Sequence, residues 1–244
     1  MVAAVVFQVN ANEQQSPMSS RGEILARYRH LREISKRHHS RAIRSLPRDA
    51  ILQHARRLGL ARGRTFVLDS MEELTPVFDL AIYTAPASRF AAIERYARSA
   101  EFAVDSDEAL VLEAMCNAHF MLAIVQCRHE IAGLIVKDLL RNVEVWLVDE
   151  GLEKSLSAGS TFATRFYTPD RFSVTAGVVI PFDLDMFMSA LETCPQLSRK
   201  SPVEAIEDRR FADALYRVAI ADGIMGSVTY EDTPAPAAQP DTRS

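Results

Sequence analysis

Apolar residues recur at helical spacing through the first part of the chain. Between Glu23 and Ser45 they form one stripe, and basic side chains occupy the positions between them, so this segment predicts an amphipathic helix with a basic outer face. A second, shorter helix is predicted from Pro47 to Gly59, because proline suits a first helical turn and glycine a C-terminal cap. The apolar stripe of the first helix consists of Ile24, Tyr28, Leu31, Ile34, His38 and Ala42.

More helices are predicted before the middle of the chain. Ser70 and Glu73 have the spacing of a reciprocal N-terminal capping pair, and an apolar run at helical spacing follows them. Another helix is predicted to open at Pro86, and the next near Asp105 or Ser106, whose short polar side chains suit an N-terminal cap.

Residues 92–118 carry small and aromatic residues at a recurring spacing, with a polar turn at 105–107. The positions are Ala92, Tyr96, Ala97, Ala100 and Ala109. This stretch resembles the passage from one tetratricopeptide repeat to the next, and the resemblance implies paired helices. It covers one helical hairpin and its successor at most, and it lacks the repeat's aromatic and Leu-Gly opening pattern and its turn proline. No repeat period of about 34 residues recurs elsewhere.

From His119 the pattern changes from helical to alternating. Five short segments rich in β-branched and aromatic residues, with turn-like residues between them, predict five strands. Strands at this spacing, without long helical crossovers, favour an antiparallel meander or a small, partly open barrel over a parallel sheet. Residues 168–171 are typical of a hairpin connection, and Gly177 of a bulge or bend. The five segments are 119–127, 134–139, 143–150, 160–168 and 172–180.

Helical patterning returns after the predicted sheet. A helix is predicted over 184–193, and a single continuous helix from Ser201, which pairs with Glu204 as a cap, to Gly223. The sequence therefore predicts an α+β fold in five parts. These are a disordered leader at 1–20, a helical region at 21–118, an antiparallel β module at 119–181, C-terminal helices at 182–225 that pack back, and a disordered proline-rich tail at 226–244.

Composition places this fold in a broad class. The chain has 244 residues, of which 48% are hydrophobic, enough for one substantial domain or two small ones. No run approaches the roughly 18 to 20 apolar residues of a membrane span. The opening residues lack the charged start of a signal peptide, and translation could begin at Met1 or Met18. The odd number of cysteines, Cys116, Cys127 and Cys194, indicates a reduced, cytoplasmic protein.

Charge is distributed unevenly along the chain. Residues 21–64 contain thirteen Lys and Arg against three acids, which gives a charge of +10. The net charge of the chain is −4, so the other two hundred residues carry −14. A basic face attracts phosphates or acidic protein surfaces, and the acidic remainder of the same chain is a third candidate partner. The candidate partner-binding residues, on the helical projection, are Arg29, Arg32, Lys36, Arg37 and Arg44.

Residues with other chemistry are scattered through the β module. Cys116, His119, Cys127 and His129 are an alternative zinc set, although their spacing differs from paired zinc-finger ligands and cysteines are also routine core residues. The sequence has no phosphate-binding glycine loop and no dinucleotide fingerprint, so we expect no cofactor. Carboxylates that could serve acid–base chemistry are Asp138, Asp149, Glu150, Glu153, Asp183 and Asp185.

Aromatic residues of the β module allow two interpretations. If they share an exposed face with Arg165 and Arg171, they form a stacking platform; otherwise they form the core of the sheet, which is the commoner arrangement. The aromatic residues are Trp146, Phe162, Phe166, Tyr167 and Phe172.

These patterns favour a non-catalytic function. The first hypothesis is an adaptor or regulatory protein that binds a macromolecular partner through the basic helix or the β module. The second is nucleic-acid binding through the same basic residues. The third is an enzyme that uses the carboxylates between Asp138 and Glu153.

Overall fold

A computed structural model describes residues 20–68, 71–85 and 89–224. The predicted leader and tail lie outside these residues, apart from Ser20 itself. The first helix, α1, covers Arg21–Arg44, and α2 covers Arg48–Arg57. Ser20 caps α1: its hydroxyl accepts from the Glu23 N–H, and the Glu23 carboxylate accepts from the Ser20 N–H at 2.7 Å.

A two-stranded hairpin follows α2, in a region where the sequence pattern predicts no strand. It consists of β1, Ala61–Arg62, and β2, Thr65–Phe66, which pair in antiparallel register around Gly63. Gly63 has φ +60°, a conformation that glycine adopts without strain. Strands of two residues are too short to show a period in the sequence, which explains why the pattern misses them.

Three further helices lie between the hairpin and the main sheet in the described residues. A 3-10 turn at Met71–Glu73 leads into α3, Leu74–Tyr83, and the predicted cap Ser70 lies outside the described residues. The next helix, α4, covers Ala92–Ser99; its predicted start at Pro86 also lies outside them. Helix α5 covers Asp107–Cys116, and Ser106 caps it as predicted.

Five strands form where the alternating segments predict them. They are β3, His119–Arg128; β4, Leu134–Asp138; β5, Glu144–Leu147; β6, Thr161–Tyr167; and β7, Val174–Pro181. All pairs are antiparallel, in the order β5-β4-β3-β6-β7, so the predicted α+β class and antiparallel sheet are confirmed. A short helix, α6, Glu150–Ser155, carries the chain from β5 back to β6 beside β3.

The sheet curls without closing in the described residues. One isolated bridge between Leu147 and Ser173 joins its two edges at a single point. Thr164 pairs with Val179 and Phe166 pairs with Thr175, so one residue of β6 lies opposite three residues of β7. Gly177, at φ +127°, is the middle one of these three. This confirms the bend predicted at Gly177.

The C-terminal helices cover one face of the sheet. Helix α7 covers Leu184–Thr193, as predicted, but the single helix predicted over 201–223 is wrong. It is divided into α8, Pro202–Glu207, and α9, Arg210–Ala221. At the break the backbone of Asp208 is extended, and its carboxylate accepts a hydrogen bond from the Arg210 N–H at 3.0 Å. Asp208 therefore satisfies a backbone N–H at the start of α9, within the segment that the apolar pattern predicts as one helix.

The buried side chains form three clusters around the sheet. One lies between a sheet face and α2, α3, α7 and α9, and includes Phe120, Phe211 and Tyr216. A second joins α1, α3, α4 and α5 to the end of the sheet at Tyr167 and Phe172. The third fills the opposite, inner face of the curled sheet. Helix α1 is therefore fixed against both the helical layer and the sheet.

Candidate functional site

The apolar stripe of α1 determines where its basic residues point. All six predicted stripe residues are buried, including His38, which is 1% exposed. His38 is bonded to the Tyr96 hydroxyl and to the Glu108 carbonyl, at 3.1 and 3.0 Å. The next residue, His39, is not part of the predicted stripe and would be expected in solvent, but it is partly buried, because α3 packs beside it and the Tyr83 hydroxyl lies 2.7 Å from its Nε2. Burial lowers the pKa of His39 to about 3.

The first half of the basic segment, residues 21–40, faces carboxylates of the same chain. We call it the paired half. Arg27 is the centre of this contact, because its guanidinium binds Asp107 at 2.5 Å and Asp170 at 2.8 Å. Arg21 binds Glu153 at 2.8 Å, and Arg29 binds Glu150 through two hydrogen bonds of 2.7 and 2.8 Å.

These acids lie mostly at the starts of helices. Asp107 belongs to the first turn of α5, and Glu150 to the first turn of α6, where a carboxylate also complements the helix dipole. Hydrogen bonding to Arg27 holds the pKa of Asp107 below its usual range. Hydrogen bonding to Arg29 does the same for the pKa of Glu150. The paired half therefore meets carboxylates that stay charged at neutral pH.

The five basic residues that the sequence selects have different environments in the structure. Arg29 is paired with Glu150, and Arg37 with Glu108 at 3.2 Å. Arg32 is partly buried, and its Nη1 donates to the Thr175 carbonyl at 2.5 Å. Two residues remain largely in solvent: Lys36, whose ammonium meets the exposed Glu33 on the same helix, and Arg44.

The second half of the basic segment, residues 41–64, has a different environment. It contains seven arginines against one acid, Asp49, which gives +6. All seven are exposed. We call this set the arginine surface; it consists of Arg41, Arg44, Arg48, Arg56, Arg57, Arg62 and Arg64.

Neutral groups of the chain hold two of these arginines. Arg41 donates to the Tyr96 hydroxyl at 3.3 Å, and Arg56 donates to the Gly63 carbonyl at 2.8 and 2.6 Å, which fixes the hairpin against α2. The one ion pair in the described part of this surface joins Arg64 to Asp49 at 3.9 Å, with both side chains about 80% exposed. Such a pair contributes little, so the positive charge remains available.

The arginine surface contains a shallow concavity. Its volume is about 560 Å³, and it is formed by residues of α2 and the preceding Pro47 together with Arg64 of the hairpin turn. Its lining is both basic and apolar, and consists of Pro47, Asp49, Ala50, Gln53, Arg56 and Arg64.

Comparison with known proteins identifies a family but no function. A family model described as "Family of unknown function (DUF7986)" matches residues 23–229, which is most of the chain. The chain belongs to this family. No curated protein and no solved structure matches it. The DUF7986 match includes all of residues 41–64, so the arginine surface lies within the family's matched region.

The alternative zinc set of this DUF7986 chain is not brought together. His119 begins β3 and Cys127 lies near its other end, so the strand separates them by about 26 Å at 3.3 Å per residue. His129 is instead stacked on Trp146, with ring centroids 4.0 Å apart. In the residues that the structure covers, no group of three or more His, Cys, Asp or Glu side chains has the arrangement of a metal site.

The aromatic platform is also not formed. Phe162, Phe166, Tyr167 and Phe172 are at most 4% exposed and belong to the inner cores. Of these five, only Trp146 is partly exposed; the His129 ring stacks on it, and the Arg171 guanidinium lies 5.9 Å from its ring centroid. The aromatic side chains therefore stabilise the sheet, as the commoner of the two interpretations holds.

Most of the selected carboxylates have structural contacts. Asp138 accepts from two backbone N–H groups of the following turn and from Arg141. Asp149 and Asp183 cap α6 and α7. Glu150 and Glu153 pair with α1, and Asp185 is an exposed residue in the first turn of α7.

Sequence reasoning missed most of the arginine surface. It selected Arg44 but none of the arginines that follow. The available signal was the scarcity of acids after residue 40, since Asp49 is the only one before residue 65. A count of basic residues gave the wrong emphasis, because residues 21–40 contain six and residues 41–64 contain seven, and the rest of the chain neutralises most of the first set.

No helix in the described ranges has both the length and the apolar composition that crossing a membrane requires.

Proposed function

We propose that this protein is a non-catalytic binding module whose arginine surface docks an acidic segment of a partner protein. The observation that carries the proposal is the exposed charge of +6 over residues 41–64, whereas most basic residues of the preceding paired half meet acids of the same chain. Guanidinium groups stay charged at any physiological pH and bind carboxylates through two parallel hydrogen bonds. A surface of this kind selects for clustered Asp and Glu side chains.

The composition around the arginines supports a protein partner over a nucleic acid. The concavity includes the apolar atoms of Pro47 and Ala50, and Val67, directly after the hairpin, is 49% exposed. Protein interfaces combine arginine with apolar contacts. The rest of the chain carries −10, since the net charge is −4 and residues 41–64 contribute +6. This charge would also repel a long polyanion, whereas a short acidic segment avoids most of that repulsion.

The proposal includes a reducing compartment. The three cysteines are free thiols, and they lie apart on α5, β3 and the residue after α7. Free thiols of this kind fit a cytoplasmic protein.

A binding titration tests the function. A fluorescent twelve-residue peptide of Glu and Asp with two leucines is titrated with the full chain, and anisotropy is recorded. The double variant Arg48→Gln/Arg56→Gln should weaken binding by about tenfold, since each lost interfacial charge contributes roughly 0.5 to 1 kcal/mol. The control is Arg89→Gln/Arg199→Gln, which makes the same charge change at exposed residues outside the surface.

Two outcomes would contradict the proposal. If both double variants weaken binding equally, the peptide responds to net charge rather than to this surface. If a 20-base-pair DNA duplex binds more tightly than the peptide, with affinity that falls steeply as salt rises, the surface serves nucleic acid instead.

A further inference from the structure

A second concave site lies away from the arginine surface. It is a cleft of about 490 Å³ between the end of α3, the start of β3, β6 and the junction of α8 with α9. This volume falls within the range of about 300 to 1,000 Å³ that small-molecule sites occupy. The break at Asp208 is what places Glu207 and Arg209 at its rim, so the cleft depends on the division of the predicted long helix.

The cleft has a buried cation as its floor. Arg165 is 7% exposed, and its Nε and Nη2 donate to the two carboxylate oxygens of Asp79 at 3.0 and 3.2 Å. The Tyr216 hydroxyl donates to the same carboxylate at 2.9 Å. Asp79 thus holds the guanidinium in one orientation, and such preorganisation lowers the cost of binding a ligand.

The other edge of this guanidinium is open. Arg165 lines the cleft, and within the described residues its Nη1 has no hydrogen-bond acceptor. The Arg165 guanidinium also lies 4.8 Å from the ring centroid of Tyr83 and 5.7 Å from that of Phe120. Both aromatic residues line the cleft, so donors and flat apolar surfaces are presented together.

Two more arginines complete the site. Arg141 is neutralised by Asp138 at 2.8 Å and by Glu207 at 3.3 Å. Arg209 donates to the Ala85 carbonyl at 3.2 Å, and no described carboxylate forms an ion pair with it. Asp208, the other acid of the lining, is bound by Lys200 and Arg210 at 2.8 and 2.7 Å. The local charges therefore leave one cation, Arg209, uncompensated.

We propose that this cleft binds a small organic anion. One carboxylate or phosphate group of the ligand is held between Arg165 and Arg209, and a flat apolar part lies against Tyr83 and Phe120. One uncompensated cation matches one anionic group, and planar guanidinium donors suit both carboxylate and phosphate oxygens. The site is independent of the arginine surface and does not rest on the function proposed for it.

Calorimetric titration at constant ionic strength tests the site. The probes are benzoate and phenyl phosphate, with acetate and inorganic phosphate as anions that lack the ring. We expect saturable binding of at least one ring-bearing anion, at least about fivefold tighter than its ring-free counterpart, since burying a ring adds apolar contact. Whichever of the two ring-bearing probes binds more tightly identifies the anionic group.

Substitutions locate the binding. Arg209→Gln should weaken it by about tenfold, because a charged hydrogen bond is lost at an exposed side chain whose contact within the described fold is a hydrogen bond to the Ala85 carbonyl. Asp79→Asn/Arg165→Gln should abolish it, and it removes both charges together so that neither is left buried alone. Arg199→Gln, the matched control, should bind as the parent chain does.

Three results would overturn the proposal. These are absence of saturable binding for all four probes, equal affinity of ring-bearing and ring-free anions, and unchanged affinity in Arg209→Gln. Circular dichroism and a urea unfolding curve check that each variant is folded, so a loss of binding in Arg209→Gln reports the site itself.

Discussion

The two halves of the basic segment have similar composition and opposite environments. In the paired half, Arg27 alone contacts two carboxylates, from α5 and from the connection between β6 and β7. In the arginine surface the single ion pair among the described residues is the loose one between Arg64 and Asp49, at 3.9 Å. The same residue type thus stabilises the fold in one half and remains available for binding in the other.

The difference shows that a count of charges does not locate a binding surface. A cation contributes to recognition when the fold places no acid opposite it. Helix α1 passes over the N-terminal turns of α5 and α6, where acids are favoured by the helix dipole. Among the described residues, the arginines of α2 and the hairpin form one ion pair, the exposed one between Arg64 and Asp49, so most of their charge can attract a partner.

The largest effect on the free energy of unfolding is expected from removing Arg27, the central residue of the paired half. Arg27→Ala removes the contacts to Asp107 and Asp170, which leaves Asp170 without its ion pair and Asp107 with only the His30 ring at 2.9 Å. We therefore expect the free energy of unfolding to fall by about 1 to 2 kcal/mol. Arg57→Ala, at an exposed arginine of α2, should change it by less than about 0.5 kcal/mol. Urea unfolding measures both. Equal effects would mean that the two halves do not differ energetically.

The fold was largely predictable from local patterns. The alternation of apolar and polar residues in segments 119–127 and 160–168 can be recognised from neighbouring residues alone. It placed the ends of β3 and β6 within about one residue of their observed positions. The break at Asp208 was not predictable in this way. No glycine or proline marks it, and the carboxylate that starts α9 is in turn held by Lys200 and Arg210.

The sites were less predictable, because they depend on contacts between distant residues. Arg27 and Asp170 are 143 positions apart, and nothing near either residue indicates the other. The floor of the cleft joins Asp79 to Arg165, 86 positions apart. Sequence patterns found the basic segment, but only the packing of α1 on α5 and α6 divided it into two halves.

Acidification is expected to weaken the paired half while the arginine surface keeps its charge. His39 has a folded pKa of about 3, against an unfolded value of about 6.5. Between these values the unfolded chain binds the extra proton, so stability falls as the pH drops below about 6.5. The pKa values of Asp107 and Glu150 are also depressed, so the stability that these acids contribute is lost only below about pH 4, as they protonate.

Urea unfolding at pH 7, 6 and 5 measures the histidine effect. We expect His39 alone to account for about 1 to 2 kcal/mol of the stability that the parent chain loses between pH 7 and 5, since one proton contributes about 1.4 kcal/mol per pH unit once pH is below the unfolded pKa. His39→Gln should therefore lose less. It will not abolish the dependence, because burial also lowers the pKa values of His38, His54, His119 and His129. A slope unchanged in His39→Gln would contradict this assignment.

The smallest effect on stability is expected from adding a carboxylate to the arginine surface, which would give it the ion pairing that the paired half has. Gln53 lines the concavity beside Arg56 and Arg64, so Gln53→Glu places a carboxylate where the paired half would have one. On an exposed helix face such a charge should raise the free energy of unfolding by only about 0.2 to 0.5 kcal/mol. Binding of the acidic peptide should weaken several-fold, because the new carboxylate competes for the same guanidinium groups and repels the ligand.

The matched control is Gln126→Glu, the same change at an exposed residue of β3 outside the arginine surface. If the two variants weaken peptide binding equally, only net charge matters and the environment of residues 41–64 carries no special role. If Gln53→Glu weakens binding while Gln126→Glu does not, one carboxylate placed among the arginines is sufficient to reduce their binding of the peptide. The absence of an opposing acid is then what distinguishes the arginine surface from the paired half.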